Sequence, residues 1–273
     1  MKKFSHLSAF LLIGLLSLSA CSQKAQQDTS AKATLDYENN LIIKPLDEYS
    51  IDQMTDNYNK LHSIAMHKCT SRLGTPYSYP ESKVKVGSRE YGFWNPHYIE
   101  QYGFGIFIPE STQEVIDETT QQNISRCAAE DQSLKELSNK LSQLSSATEI
   151  TDRLRTEARS SALRDDTWQE ARKKWWSCLE AQGLTPRKDD EAWVTEQLKS
   201  APDTTAAEQE EKVRITLLEA RCSQDTGMAQ ALADLEASYQ APLIRENQSA
   251  LNQAKQAVQD FNADIDKRYR SSQ

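Results

Sequence analysis

Apolar side chains recur at steps of three and four along most of this chain. Ile51, Met54, Tyr58, Leu61, Ala65, Cys69 and Leu73 keep that spacing up to Gly74, which sets them on one face of a helix. Ile116, Ile124, Cys127, Leu134, Leu137, Leu141 and Leu144 resume it, and Ile150, Leu154 and Ala158 carry it on. Trp168, Ala171, Trp175, Cys178 and Gln182 form a further face ending at Gly183, and Val213, Leu217, Leu218 and Cys222 another before Gly227. Glycine directly after a periodic run is a helix stop, because it takes a positive φ without a side-chain clash. Ser50, Asp165 or Asp166, and Asp203 or Thr204 stand where helix caps belong. From Met228 through Leu232, Leu235, Tyr239, Leu243, Leu251, Ala254, Val258 and Phe261 to Ile265 the spacing continues. It predicts a long, coiled-coil-like helix, with Pro242 expected to kink or break it. The fold class is therefore all-α, built of extended helical hairpins.

The helices fall into two similar units marked by cysteines. Cys69-Thr70-Ser71-Arg72-Leu73-Gly74-Thr75-Pro76 and Cys178-Leu179-Glu180-Ala181-Gln182-Gly183-Leu184-Thr185-Pro186 both read Cys-x4-Gly followed by Thr-Pro. Each is followed by an Arg-Cys pair ahead of acidic residues, Arg126-Cys127 and Arg221-Cys222. This duplication favours the bridges Cys69–Cys127 and Cys178–Cys222, one per unit, among the three pairings that four cysteines allow. The units are expected at residues 46–147 and 148–273, the second carrying the long helix.

The N-terminus reads as a targeting segment. Lys2 and Lys3 precede the apolar run Phe10-Leu11-Leu12-Ile13-Gly14-Leu15-Leu16, too short to span a bilayer. Leu18-Ser19-Ala20-Cys21 then looks like a bacterial lipobox, which implies cleavage of residues 1–20 and lipidation of Cys21. Two buried acyl chains anchor stably where one does not. Residues 21–45 are expected to be the lipidated end and a flexible polar tether. Removing Cys21 from the count leaves four cysteines, and an even number in an exported chain favours disulfides.

Composition narrows the function. Eight glycines and eight prolines in 273 residues are few, which agrees with helices, and a formal charge of −8 argues against a nucleic-acid partner. With 38% hydrophobic residues the core is expected to be thin and extended. Adjacent acids such as Asp189, Asp190 and Glu191, or Glu208, Glu210 and Glu211, read as solvated surface rather than as a separated catalytic pair. His62 and His67 lie five apart, on different helix faces, and His97 stands alone. No catalytic residue, metal ligand or cofactor is assigned.

The best candidate for binding is the aromatic stretch Tyr91, Phe93, Trp94, Tyr98, Tyr102 and Phe104, with Asn95 and Pro96 starting a short helix inside it. Exposed, these rings would make a platform for sugar rings or a partner's anchor. The competing expectation, favoured by a thin core, is a lid pinned over the Cys69–Cys127 bridge.

Four elements together are similar to uncharacterised exported lipoproteins of high-GC Gram-positive bacteria: the Tyr-Gly-Phe repeats at 91–93 and 102–104, Trp175-Trp176-Ser177-Cys178-Leu179, Arg221-Cys222 before Thr226-Gly227, and the long C-terminal helix. Leu179 stands where a methionine is expected. The resemblance covers most of residues 50–265 and carries no catalytic residues. Its members often accompany cell-envelope transport systems, which implies an accessory role. The expected protein is an extracytoplasmic lipoprotein, anchored to the membrane by its lipid, non-enzymatic, with an envelope protein as partner. The alternatives are a module binding cell-wall glycan through the aromatic stretch and, behind it, an envelope hydrolase.

Overall fold

A computed structural model describes residues 26–79, 87–103, 116–189, 192–202 and 204–273. Among these residues the chain is all-α apart from one small hairpin. Strands β1 (Thr34–Asp36) and β2 (Leu41–Ile43) pair antiparallel, with Thr34 opposite Ile43 and Asp36 opposite Leu41. Two 3-10 turns (Pro45–Tyr49 and Ile51–Gln53) lead into eight helices. They are α1 (Asn57–Arg72), α2 (Pro96–Tyr102), α3 (Glu118–Glu130), α4 (Gln132–Leu163), α5 (Asp166–Ala181), α6 (Glu196–Ser200), α7 (Ala206–Thr226) and α8 (Met228–Ser272).

Local chemistry sets the helix ends. Gly74, Gly183 and Gly227 all take positive φ behind α1, α5 and α7, as the sequence led us to expect. Asp165 caps α5 by accepting from the Thr167 N–H at 2.9 Å. Thr205 and Glu208 form a reciprocal capping box on α7. Ser50 caps a 3-10 turn rather than α1, which begins only at Asn57. Asp131 accepts from Ser133 and Leu134 and separates α3 from α4, where one run of periodic residues had suggested continuity.

Helix α8, 45 residues long and so about 68 Å at 1.5 Å per residue, is the spine. Its first part supplies Met228, Leu232, Leu235 and Tyr239 to the main core, which also holds Trp168, Trp175, Leu179 and Cys222. Its middle packs Leu251 against Leu46, Tyr49 and Leu154. Its last part lays Val258, Phe261 and Ile265 over Tyr58, Leu137 and Leu144. Cys69–Cys127 joins α1 to α3 and Cys178–Cys222 joins α5 to α7, with Cα atoms 5.9 and 5.6 Å apart. Bridges closing loops of this length add about 4 kcal/mol each in the chain-entropy model.

Three expectations need adjusting. The boundary expected between residues 147 and 148 lies inside α4, and α8 covers the helices on both sides of it, so the stapled pairs share one framework. Pro242 stays within helical backbone, and α8 kinks at Asn247 instead (φ −112°, ψ 16°). Proline lacks the N–H that would bond Ser238 O, and the Asp28 N–H donates to that carbonyl at 2.8 Å in its place.

That bond belongs to the third difference, in the stretch expected as a tether. Cys21 lies outside the described residues, but from Gln27 onward the chain is docked on α8. Gln27 Nε2 donates to Ser238 Oγ (2.9 Å), the Ala33 N–H to Asp234 Oδ1 (3.0 Å) and the Leu46 N–H to Gln240 Oε1 (3.0 Å). Gln230 Nε2 donates to Ala33 O at 3.1 Å. Ala33, Ile42 and Leu46 add apolar contacts, but they follow no helical period, so apolar periodicity could not reveal the docking.

Candidate functional site

The aromatic stretch is folded into the main core. Asn95 caps α2 through Oδ1, which accepts from the Tyr98 N–H at 3.2 Å, while its Nδ2 donates to Tyr37 O at 2.8 Å. Gly92 has φ +80°, and a Cβ there would stand 2.6 Å from Trp193 O. Only glycine lets the two backbones approach so closely. Tyr91, Phe93, Trp94 and Tyr98 are buried, Tyr102 is 42% exposed, and Phe104 lies outside the described residues. Tyr91 meets Trp168 and Trp193 edge-on, each at 5.9 Å. Trp94 donates from Nε1 to Ser88 O at 2.9 Å and takes Tyr37 on its ring at 5.3 Å. These rings form a lid, but over the end of the core that holds Cys222, not over Cys69–Cys127.

Beside Tyr91 lies a cluster of two cations and two carboxylates that sequence reading missed, with Lys44 and Glu236 buried and Glu90 and Arg159 partly exposed. Lys44 Nζ contacts Glu236 Oε2 at 2.7 Å and Glu90 Oε1 at 2.5 Å. Arg159 pairs with Glu236, lies 3.6 Å from Glu90, and stacks on Trp168 at 4.4 Å. Lys44 and Glu236 are almost wholly inaccessible. Burial pushes the Tyr91 phenol well above its usual range, and Glu236 and Glu90 add to it. Burial opposes the charge of Arg159, but Glu236, Tyr91 and Glu90 together outweigh it and hold the guanidinium above its ordinary value. The charges balance, and the set joins the segments that carry them. Here those are the chain after β2, the residues before Tyr91, α4 and α8.

Two further buried charged side chains hold Asp189, Ala192 and Thr195. Arg172 is fully buried between the rings of Trp176 (4.7 Å) and Trp193 (5.0 Å), and its Nη2 donates to Asp189 O at 2.7 Å. Glu219 Oε1 accepts from the N–H and Oγ1 of Thr195 at 2.7 and 2.6 Å. Among the described residues nothing donates to Glu219 Oε2. Burial pushes this carboxyl up to about 7 despite the Thr195 bonds. Enclosure is what weakens this acid, and among the described residues no second carboxylate is bonded to it to make an acid–base pair.

The other candidates stand apart. Asp189 pairs with Arg187, Glu211 with Arg214, and Glu208 serves the cap of α7, while Asp190 and Glu191 lie outside the described residues. Burial lowers the pKa of His62, which stacks near Tyr58 and Tyr79; Nδ1 of His67 meets Ser78 Oγ, and His97 is exposed. Among the described residues no three His, Cys, Asp or Glu side chains converge as metal ligands, and no helix is long and apolar enough to cross a membrane.

Two surface features remain. Leu61, Ile64, Ala65 and Leu137 floor a shallow groove of about 200 Å³ between α1, α4 and the end of α8, rimmed by Glu136 and Arg268. At the other end of the molecule the hairpin exposes Tyr37, Leu41 and Ile43. No protein-family model, curated protein or solved structure matches the chain.

Proposed function

We propose that this chain is an extracytoplasmic lipoprotein, held to the cell membrane through Cys21, that serves without catalysis as an accessory to an envelope protein such as a transporter. The observation that supports this most is the use of cysteine. All four cysteines after Cys21 are paired in two bridges, the pattern of an oxidising compartment, and the remaining one stands directly after the lipobox. The disulfide-stapled helical body beyond it, with α8 packed along it, suits a protein that presents surfaces to a partner. Burial of Tyr91, Phe93, Trp94 and Tyr98 removes the ring platform on which the glycan-binding alternative stood.

Metabolic labelling with an alkyne fatty acid tests the anchor. Wild-type protein is expected to carry the label and fractionate with membranes, and Cys21→Ser to be released or to persist as uncleaved precursor. An unlabelled, freely secreted wild type would refute the reading. Crosslinking on intact cells then tests the accessory role: a single membrane protein should be captured in stoichiometric yield, and capture of wall glycan instead would favour the alternative.

A further inference from the structure

The hairpin breaks the usual rule for a two-stranded element on a protein surface. Its inward residue Ile42 is buried, as alternation requires. The outward positions of β2, which ordinarily carry polar side chains, are Leu41 and Ile43, 41% and 44% exposed, with Tyr37 at 45% in the turn between the strands. Half of the exposed large apolar side chains of the described residues thus crowd into one hairpin; Tyr79, Tyr102 and Ile116 are single residues in separate segments.

The position of the hairpin relative to the anchor says what covers it. Asp28 is fixed to Ser238 of α8 by its N–H and to Arg245 by its carboxylate. Seven residue steps separate it from Cys21, and they span at most about 25 Å whatever their conformation. From Ser238 the docked chain runs back along α8 to Gln230, which holds Ala33. Eight helical residues cover about 12 Å, and β1 begins at the next residue. The leash is therefore much shorter than α8, and the hairpin sits beside its point of attachment.

Resting on the lipid-anchor reading above, we infer that Tyr37, Leu41 and Ile43 form a contact that seats the body on the lipid surface of the membrane. An apolar pair and a tyrosine suit the boundary between headgroups and acyl chains. Asp36 and Glu38 lie in the same hairpin, so the contact is apolar and gains nothing from anionic lipid. Seating the hairpin fixes how the rest of the molecule leaves the membrane, with the groove between α1, α4 and α8 at the far end.

The test places one environment-sensitive fluorophore on the full lipidated protein at Ile43→Cys, at Leu41→Cys, or at the exposed distal site Lys267→Cys. The native bridges stay closed and Cys21 is blocked by its lipid. The carriers are vesicles of phosphatidylcholine with and without phosphatidylglycerol, some containing doxyl-labelled lipid. Coflotation with the vesicles reports the anchor separately. Quenching by doxyl lipid is expected to be at least about threefold stronger at positions 41 and 43 than at 267, as for groups held 5 to 10 Å into the interface, at either lipid composition. A protein that cofloats but shows unquenched label at both hairpin sites overturns the inference and leaves the anchor standing. Failure to float refutes the anchor and the inference with it. Quenching that appears only with anionic lipid, or shielding seen only in native membranes, assigns the hairpin to headgroup charge or to a protein partner and overturns the contact argued here.

Discussion

Replacing Glu219 by glutamine should remove one source of pH-dependent stability from the main core. The side chain keeps its length and an oxygen for the two Thr195 donors at 2.7 and 2.6 Å, but can no longer ionise. In the folded protein the carboxyl titrates near 7 rather than at its ordinary 4.5, chiefly because it is buried. A raised carboxyl pKa means that the folded state holds its proton more tightly than the unfolded chain. The associated stability is complete below about pH 4.5 and is lost as pH rises through about 7. The difference between the two pKa values corresponds to about 3 kcal/mol. Between pH 4.5 and pH 8 the stability difference should therefore move in favour of Glu219→Gln by that amount. For a chain of this size it is about 6 to 12 °C in melting temperature. Thermal melts of both proteins across that range, followed by circular dichroism, provide the comparison, and groups that titrate alike in both cancel in the difference. Parallel curves would refute the enclosure of Glu219, and a shift favouring the wild type at high pH would mean that an unseen cation holds the carboxylate.

Three further outcomes are expected. Trp94→Ala should cost about 3 to 5 kcal/mol, as for a buried tryptophan, while Tyr102→Ala should stay within about 0.5 kcal/mol; chemical denaturation separates them, and equal effects would contradict the lid. Lys44→Met should cost about 3 to 5 kcal/mol by leaving Glu90 and Glu236 with Arg159 alone, and the double variant Lys44→Met/Glu236→Leu should recover much of it, which a merely local packing defect would not. Non-reducing peptide mapping should yield Cys69 with Cys127 and Cys178 with Cys222 only, and reduction should lower the melting temperature while helical dichroism persists.

What the sequence made legible follows the range of the interactions. Helix existence and ends depend on residues within a few positions of each other, so the stops at Gly74, Gly183 and Gly227 and the caps at Asn95 and Asp165 could be read directly. The bridges were legible because the Cys-x4-Gly and Arg-Cys pattern occurs twice. The ion cluster was not, since Lys44, Glu90, Arg159 and Glu236 come from four distant segments that share no local pattern. The aromatic stretch was seen but placed over the wrong bridge. Its partners are Trp168 and Trp193, and only the approach allowed at Gly92 reveals that. Ser50 showed a capping residue without showing that the turn it caps is a 3-10 turn. Pro242 carried a correct local rule, a missing N–H, whose remedy lay more than two hundred positions away at Asp28.

That long-distance remedy also orders the birth of the protein in time. A ribosome makes the chain from its N-terminus, at about 5 to 20 residues per second. Residues 27–46 bond Gln230, Asp234, Glu236, Ser238 and Gln240 of α8, which lie 192 to 211 positions later in the chain. This segment must therefore wait as an open end for on the order of ten seconds or more. It closes only when α8 has emerged, and contacts so far apart in sequence form slowly. Closure of residues 27–46 thus depends on α8 having been made: a product truncated before α8 leaves that segment undocked and open to proteolysis.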